Sequence, residues 1–125
     1  MGKLVDDSVL DAALNAIKNG ATQLCVCSTQ PTNYTEATAT YKLALKTGLT
    51  AGSFTGPTNG DTNGRKLTVN QQSTITIDTG GNAQHIALCS GSVLLFVTTC
   101  TLQALIGGNT VTVPAWDIEF ADPTP

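Results

Sequence analysis

The stretch Asn82–Phe120, NAQHIALCSGSVLLFVTTCTLQALIGGNTVTVPAWDIEF, decides the fold of this chain. Its first part predicts a hairpin, since His85–Cys89 alternates between two faces and Ser90-Gly91 is a two-residue turn signal. The next run, Ser92–Thr98, is apolar on both faces, so we expect it to be covered on both sides. The pattern therefore predicts an antiparallel meander built around that strand.

The end of the same stretch predicts two further strands, Val111–Val113 and Trp116–Phe120, in which apolar and polar residues alternate. Pro114 lies between them and has no N–H to donate, so the chain either bends there at a bulge or lies at a sheet edge. Trp116 falls on the apolar face of the last strand, which predicts that it is buried in the core. The two carboxylates on the opposite face predict a solvated surface rather than a catalytic pair.

One helix is predicted, over Ser8–Asn19. Ser8 begins a loose capping box, and Gly20 is a natural left-handed terminator. A helix of this length is marginal alone and needs a surface to cover. We expect that surface to be the outer face of the Ser92–Thr98 strand.

Short strands at regular spacing separate this helix from the deciding stretch. They are Thr22–Ser28, Tyr41–Lys46, Leu67–Val69 and Ile75–Ile77. Gly48–Gly64 is predicted to be a long loop. The fold class is therefore mainly β, an antiparallel β-sandwich or flattened barrel with one short N-terminal α-helix. We expect a single β-sandwich domain over residues 1–125, with a flexible tail at 122–125.

The composition is polar but sparsely charged. Hydrophobic residues make up 41% and charged residues 12% of the 125 residues, and the formal net charge is −3. A surface with so few charges is typical of a protein that packs against neighbours. The Lys and Arg residues are scattered and form no basic face, which argues against nucleic acid as a partner. The acidic residues near the N-terminus argue against a signal peptide. The lack of a long apolar run argues against a membrane span.

The four cysteines are the first candidates for chemistry. Cys25 and Cys27 are two residues apart and therefore point to one face of a strand, while Cys89 and Cys100 lie in the deciding stretch. No Cys-x-x-Cys spacing indicates zinc, and disulfides are disfavoured without a secretory signal. We predict that all four are reduced and act as small buried hydrophobic residues.

Two other patterns resemble functional sites. His85, the only histidine, predicts a hydrogen-bonded structural residue, with a Cys25–His85 or Cys89–His85 dyad as the catalytic alternative. Asn59–Gly64 imitates the first half of a calcium loop, but Asn70 stands where the bidentate glutamate belongs, so tight turns are predicted instead. No catalytic, cofactor-binding or metal-binding residue is predicted, and no cofactor. We expect the protein not to be an enzyme.

Partner contacts are predicted around the long loop. Gly52–Gly64 is rich in Gly, Pro, Asn and Thr around one large apolar residue, Phe54, so we expect it to be mobile until a neighbour orders it. Arg65 and Lys66, the only adjacent basic residues, would pair with carboxylates on the partner. We therefore predict Phe54, Arg65 and Lys66 as partner-binding residues. We also expect the segment before Ser8 to contact the partner.

Three segments, Val5–Thr22, Phe54–Val69 and Leu94–Pro123, resemble a family of small structural proteins of tailed bacteriophages. The similarity covers nearly the whole chain, and its most specific parts are the Gly56–Lys66 loop and the run Val113–Glu119. This family brings no catalytic residues with it. The resemblance implies a virion component, first of all a capsid decoration (cement) protein, and alternatively a small tail, neck or fibre-associated protein.

The expected partners follow from this resemblance. They are the protein itself, as a homo-oligomer such as a trimer, and the phage major capsid protein or another virion protein, with no nucleic acid and no membrane. The chain would be synthesised and assembled in the host bacterial cytoplasm and reside in the virion. The more remote alternative is a carbohydrate-binding module for the host surface, which would need Trp116, Tyr34 and Tyr41 exposed as stacking platforms.

Overall fold

A computed structural model describes residues 5–61 and 64–121 and shows a mainly β chain with antiparallel sheets and one N-terminal α-helix. The helix, α1, spans Asp7–Gly20. The strands are β1 Gln23–Cys27, β2 Lys42–Lys46, β3 Phe54–Asn59, β4 Arg65–Val69, β5 Gln72–Thr76, β6 Gly81–Cys89, β7 Leu94–Leu105, β8 Thr110–Val113 and β9 Trp116–Phe120. They form three sheets, in the orders β2-β1-β6-β7, β3-β4-β9 and β5-β8. The predicted fold class, sandwich-like with one leading helix, is confirmed.

The predicted helix is confirmed, but its ends are set by other residues. Asp6 is the N-cap, because its carboxylate accepts a hydrogen bond from the Ser8 N–H at 2.9 Å and another from the Ser8 hydroxyl. Gly20 is the last helical residue and not a left-handed terminator, since Ala21 follows it with an extended backbone, φ −73°. The buried face carries Leu14 and Ile17, as the apolar spacing predicts.

The helix covers a different surface from the one expected. It packs mainly on β3 and β4, and touches β7 more lightly. Two polar contacts fix it there: the Lys18 ammonium donates to the Gly56 carbonyl at 2.8 Å, and the Arg65 guanidinium reaches the Asp11 carboxylate at 2.7 Å. These contacts join residues far apart in the chain, so a periodicity argument within one element does not detect them.

The predicted meander is wrong beyond its first hairpin. β6 and β7 pair as expected, but β8 pairs with β5 and β9 pairs with β4. The turn after β7 explains the change of partner: the Gly108 N–H donates to the Ile77 carbonyl, and the Ile77 N–H donates to the Asn109 carbonyl. Pro114 then interrupts the chain between β8 and β9, as predicted, and β9 continues in another sheet.

The strand buried on both sides is β1 and not β7. Four of the five β1 residues are buried, whereas most β7 residues are exposed or half-buried. Position in the sheet is the reason, since β1 lies between β2 and β6 while β7 is the last strand. The apolar run therefore predicted a strand correctly, but it did not predict that this strand lies at the edge of the sheet.

The buried side chains form two clusters, one on each face of the four-stranded sheet. The main core lies on one face and contains α1 residues and members of all three sheets, among them Leu14, Leu24, Leu67, Ile75, Leu88 and Ile118. The smaller cluster lies on the other face and consists of Cys25, Cys27, Ala37, Ala87 and Cys89. The short π-helical turn Glu36–Thr40 covers it, with Tyr34 and Tyr41 packed alongside.

The predicted long loop contains a strand. Residues 54–59 form β3 and pair with β4, from Phe54 opposite Val69 to Asn59 opposite Arg65. The expectation of a mobile Gly52–Gly64 segment is therefore wrong for its first part. The register is irregular between Thr55 and Thr58, and this irregularity hides the period-2 pattern in the sequence. Thr62 and Asn63 in its second part lie outside the described residues.

Trp116 is half-buried and not fully enclosed. It packs against the main core, and its ring stacks on Phe96 with centroids 6.0 Å apart and an interplanar angle of 27°. The prediction that it packs in the core is confirmed, but the prediction that it is buried is wrong, because part of its surface is exposed. The expected tail at 122–125 and the first four residues lie outside the described part of the chain.

Candidate interaction surface

Phe54, the first predicted contact residue, belongs to the main core. Only 5% of its surface is exposed, and it lies at the start of β3 opposite Val69. A side chain in this position stabilises the packing of β3 on the core and offers no area to a neighbour. The composition of the surrounding loop gave no sign of this, because the strand residues after Phe54 are Thr, Gly, Pro and Asn.

Arg65 is held by contacts within the chain. Its Nε lies 2.7 Å from Asp11 Oδ1, and its Nη1 donates to Asn59 Oδ1 at 2.8 Å. The hydrogen bond with Asp11 raises the pKa of the guanidinium, while partial burial opposes that shift. The Arg65 guanidinium therefore holds β4 against α1 and against the end of β3.

Lys66 is held in the same way by acidic neighbours. Its Nζ lies 2.6 Å from Asp61 Oδ1 and 3.6 Å from Asp117 Oδ2, and the hydrogen bond with Asp61 raises its pKa. Asp61 is the carboxylate of the sequence that imitates a calcium loop, and this contact engages it. The Gly60 N–H donates to the Gly64 carbonyl at 2.9 Å, which joins the two described sides of the β3–β4 connection.

The segment before Ser8, the other predicted partner contact, is described only from Val5 onward. Within that part, Asp6 is engaged as the helix cap, and its hydrogen bonds with Ser8 lower the pKa of its carboxyl group. The first four residues lie outside the described ranges.

Three of the cysteines are buried as predicted. Cys25, Cys27 and Cys89 have no exposed surface and lie together in the smaller cluster. The Cys27 thiol donates to the Ala37 carbonyl at 3.5 Å, and burial raises its pKa to about 12. The pKa of Cys25 is raised as well, by its hydrogen bond with Cys89 and by burial. The Cys25 and Cys27 thiols therefore stay protonated near neutral pH and are poor nucleophiles.

His85 and Cys100 differ from their predictions. His85 lies opposite Cys27 across the β1–β6 pair, not opposite Cys25 or Cys89, and no hydrogen-bond partner for its buried Nδ1 occurs within residues 5–61 and 64–121. Cys100 is half-buried on β7, where burial raises its pKa. No group of three or more His, Cys, Asp or Glu side chains in these ranges is arranged to hold a metal ion.

The most distinctive surface is one that the sequence did not predict. We define the β7 edge as the open side of β7 together with Val93 and Ile106 at its two ends. In the described ranges, β7 pairs with β6 alone. Three of the four large hydrophobic residues exposed in the structure lie along it: Val93 at 52%, Leu102 at 56% and Ile106 at 67%.

The β7 edge is also free of formal charge. No Asp, Glu, Lys or Arg occurs between Thr79 and Trp116. The opposite edge of the same sheet is protected, since Ala44 of β2 bridges Ile77 and the Leu43 carbonyl accepts hydrogen bonds from two backbone N–H groups. The four-stranded sheet therefore has one covered edge and one open edge.

A cleft opens beside this edge, where β7 and β8 diverge after their shared turn. One cavity of about 320 Å³ is lined by residues of β6, β7 and β8, among them Ile86, Cys100 and Val113. A second of about 260 Å³ shares these three residues and extends to Trp116, whose buried Nε1 has no partner in the described part of the chain. The sandwich is therefore incompletely closed on the side of β7.

Comparisons of this chain with protein-family models, with curated proteins and with solved structures each found no match. No helix within residues 5–61 and 64–121 has both the length and the apolar character needed to cross a membrane.

Proposed function

We propose that the chain is a non-enzymatic structural protein of a tailed-bacteriophage particle, most of all a capsid decoration (cement) protein that binds the capsid lattice as an oligomer. The observation that carries this proposal is the uncharged, partly apolar β7 edge. An edge of this kind favours association with other chains, and natural proteins that stay monomeric protect such edges with charges or short strands. The resemblance to phage structural proteins supplies the setting.

A decoration protein stabilises a particle by mass action. It binds the assembled lattice and not the separate subunits, so its binding energy is lost when the lattice comes apart. Each contact can be weak, because many copies engage one shell and linked binding events strengthen one another. A small domain with a preformed open edge suits this role, since it orders little on binding. This mechanism uses no catalytic residue, cofactor or metal ion.

The positions of the aromatic residues argue against a carbohydrate-binding module. Such a module stacks sugars on exposed rings, but Trp116 is covered in part by Phe96, and Tyr34 and Tyr41 pack on the cysteine cluster. Every aromatic side chain in the described ranges is buried or half-buried. The tail, neck or fibre position is the alternative that the particle experiment separates from decoration.

The test compares particles of a phage with and without this gene. Heads of normal shape that release their DNA at lower temperature, with stability restored when the gene is supplied in trans, are the expected result. The purified protein added to the deficient heads should restore the same stability and saturate at a fixed number of copies per particle. Heads of unchanged stability together with a missing tail part would contradict decoration and support the tail alternative.

A further inference from the structure

We propose that residues 29–40, which we call the cap loop, form a lid over a redox site in which Cys25 and Cys89 join as a disulfide when the lid opens. The inference goes beyond the proposed function and does not depend on it. A virion protein passes from a reducing cytoplasm to oxidising surroundings, so a thiol pair of this kind would change state after the particle leaves its host.

The cap loop is a compact unit with its own hydrogen bonds. Its two ends meet where the Ser28 N–H donates to the Tyr41 carbonyl at 3.0 Å. Inside the loop, the Thr32 N–H and hydroxyl donate to the Glu36 carboxylate at 2.8 Å and 2.6 Å, and the Glu36 N–H donates to the Asn33 side chain at 2.8 Å. A loop with closed ends and internal contacts keeps its own shape, so it can move as one body.

The cap loop is attached to the sheet by few contacts. Within the described ranges, one hydrogen bond joins its residues to the strands, from the Cys27 thiol to the Ala37 carbonyl at 3.5 Å. Its buried side chains are Pro31 and Ala37, with the half-buried Tyr34 alongside. Both buried side chains are small, so they remove little apolar area from water. Opening the loop therefore costs less free energy than unfolding the whole domain.

Two thiols under the cap loop lie in contact across neighbouring strands. Gln23 pairs with Cys89 and Cys25 pairs with Ala87, so Cys25 and Cys89 are diagonal neighbours on one face of the sheet. Both side chains are fully buried in the smaller cluster, and the Cys25 thiol donates a hydrogen bond to the Cys89 sulfur. The third thiol, Cys27, donates to the cap loop instead. The pair that the sheet brings together is therefore Cys25 and Cys89.

The reaction is thiol–disulfide exchange with a small disulfide, here oxidised glutathione. The hydrogen bond from Cys25 lowers the pKa of the Cys89 thiol, although burial opposes that shift, so Cys89 attacks first once the loop is open. Its thiolate bonds to one sulfur of the reagent and releases one glutathione thiolate. The Cys25 thiol then gives its proton to water, attacks the Cys89 sulfur and releases the second. The two protein thiols lose two electrons, and glutathione gains them.

The first test asks whether the cluster opens without global unfolding. In a Cys100→Ser background, short pulses of N-ethylmaleimide in increasing urea are read by peptide mass spectrometry. Labelling of Cys89 should depend only weakly on urea below the unfolding transition, because opening a loop exposes little surface. The matched control carries Leu88→Cys and Cys89→Ala, since Leu88 is equally buried but lies in the main core. Its new thiol should be labelled only in proportion to the unfolded fraction. An equally steep urea dependence for Cys89 would overturn the inference.

The second test loosens the cap loop from within. Asn33→Ala removes the side chain that accepts from the Glu36 N–H, so it should speed the labelling of Cys89 while the midpoint of global urea unfolding stays unchanged. Asn19→Ala is the matched control, because Asn19 is exposed on α1, and it should leave the labelling rate unchanged. An Asn33→Ala chain labelled at the wild-type rate would show that the cap loop does not control access.

The third test identifies the bond. In the Cys100→Ser background, oxidised glutathione should give a product lighter by two hydrogen atoms, with no glutathione retained. Cys27→Ala should leave this product in place, whereas Cys25→Ala and Cys89→Ala should each abolish it. A disulfide that includes Cys27, or a lasting glutathione adduct on a chain that keeps both Cys25 and Cys89, would overturn the assignment. All three tests use the isolated chain, so their outcome is separate from that of the particle experiment.

Discussion

The two sides of this molecule treat charge in opposite ways. On the side of α1, β3, β4 and β9, cations and carboxylates are paired within the chain, as in the contacts of Arg65 with Asp11 and of Lys66 with Asp61 and Asp117. On the side of β7, no formal charge is present, and large hydrophobic residues are exposed. The first side satisfies its own groups, whereas the second leaves backbone and apolar surface for another chain. The basic residues that the sequence suggested for partner binding lie on the self-contained side.

The largest expected effect separates a leucine on each side. Leu67 on β4 is fully buried, so Leu67→Ala should lower the free energy of unfolding by about 2–5 kcal/mol. Leu102 on β7 is 56% exposed, so Leu102→Ala should change it by less than about 0.5 kcal/mol in dilute solution. Urea denaturation of both variants measures the difference. Similar losses from the two substitutions would show that the β7 edge is packed within the single chain.

Trp116 lies where the two sides meet and should show an intermediate effect. Trp116→Ala should cost about 2–3 kcal/mol, less than the ~3–5 kcal/mol typical of fully buried aromatic residues, because its ring is only half-buried. The Phe96→Leu variant removes the stacked ring while keeping an apolar side chain and should cost less. Thermal and urea unfolding of the two variants measure the order, and a larger loss from Phe96→Leu would contradict it.

The sequence predicted the elements better than their arrangement. Apolar alternation located β4, β6, β8 and β9, because that signal comes from the faces of a single strand. It failed for β3, where Gly, Pro and Thr carry no alternation, and it could not assign β8 to β5. Strand partners depend on distant contacts, such as the two backbone hydrogen bonds between Ile77 and the turn at 108–109.

The candidate surface was missed for a related reason. The run Ser92–Thr98 is apolar, and a buried central strand and an uncovered edge strand give the same sequence pattern. Only the sheet order places β7 at the end. The signal available in the sequence was the lack of charged residues from Thr79 to Trp116. The charged fraction averaged over the whole chain does not show that the uncharged residues form one continuous segment.

Ionic strength should have a smaller effect, and it should change the stability of the charged side but not association through the β7 edge. Arg65→Met removes the contact with Asp11 and should destabilise the fold, and the loss should shrink only slightly as ionic strength rises, because a partly buried charge pair is screened less than an exposed one. Lys46→Met is the control, since Lys46 has no ion pair among the described residues. Self-association through the uncharged β7 edge should persist over the same salt range. Denaturation at low and high salt measures the first effect and sedimentation equilibrium the second; a salt-independent Arg65→Met loss would contradict the assignment.

Acid should produce the smallest effect, and it should act through carboxyl groups that lie away from the β7 edge. Hydrogen bonds from Ser8 lower the pKa of Asp6 below its ordinary 3.8, and those from Thr32 lower the pKa of Glu36 below its ordinary 4.5. A carboxyl group with a depressed pKa in the folded state contributes stability above its unfolded value, and this contribution is lost as the pH falls through the folded value. Stability should therefore decline below about pH 4.5, and an Asp6→Asn, Glu36→Gln variant should show a shallower decline between pH 5 and pH 3. No Asp or Glu lies between Thr79 and Trp116, so acid should not weaken association through the β7 edge. The molar mass of the folded assembly in solution should therefore stay constant between pH 5 and pH 3. Dissociation of a still folded oligomer in acid would mean that carboxylates outside the β7 edge hold the copies together.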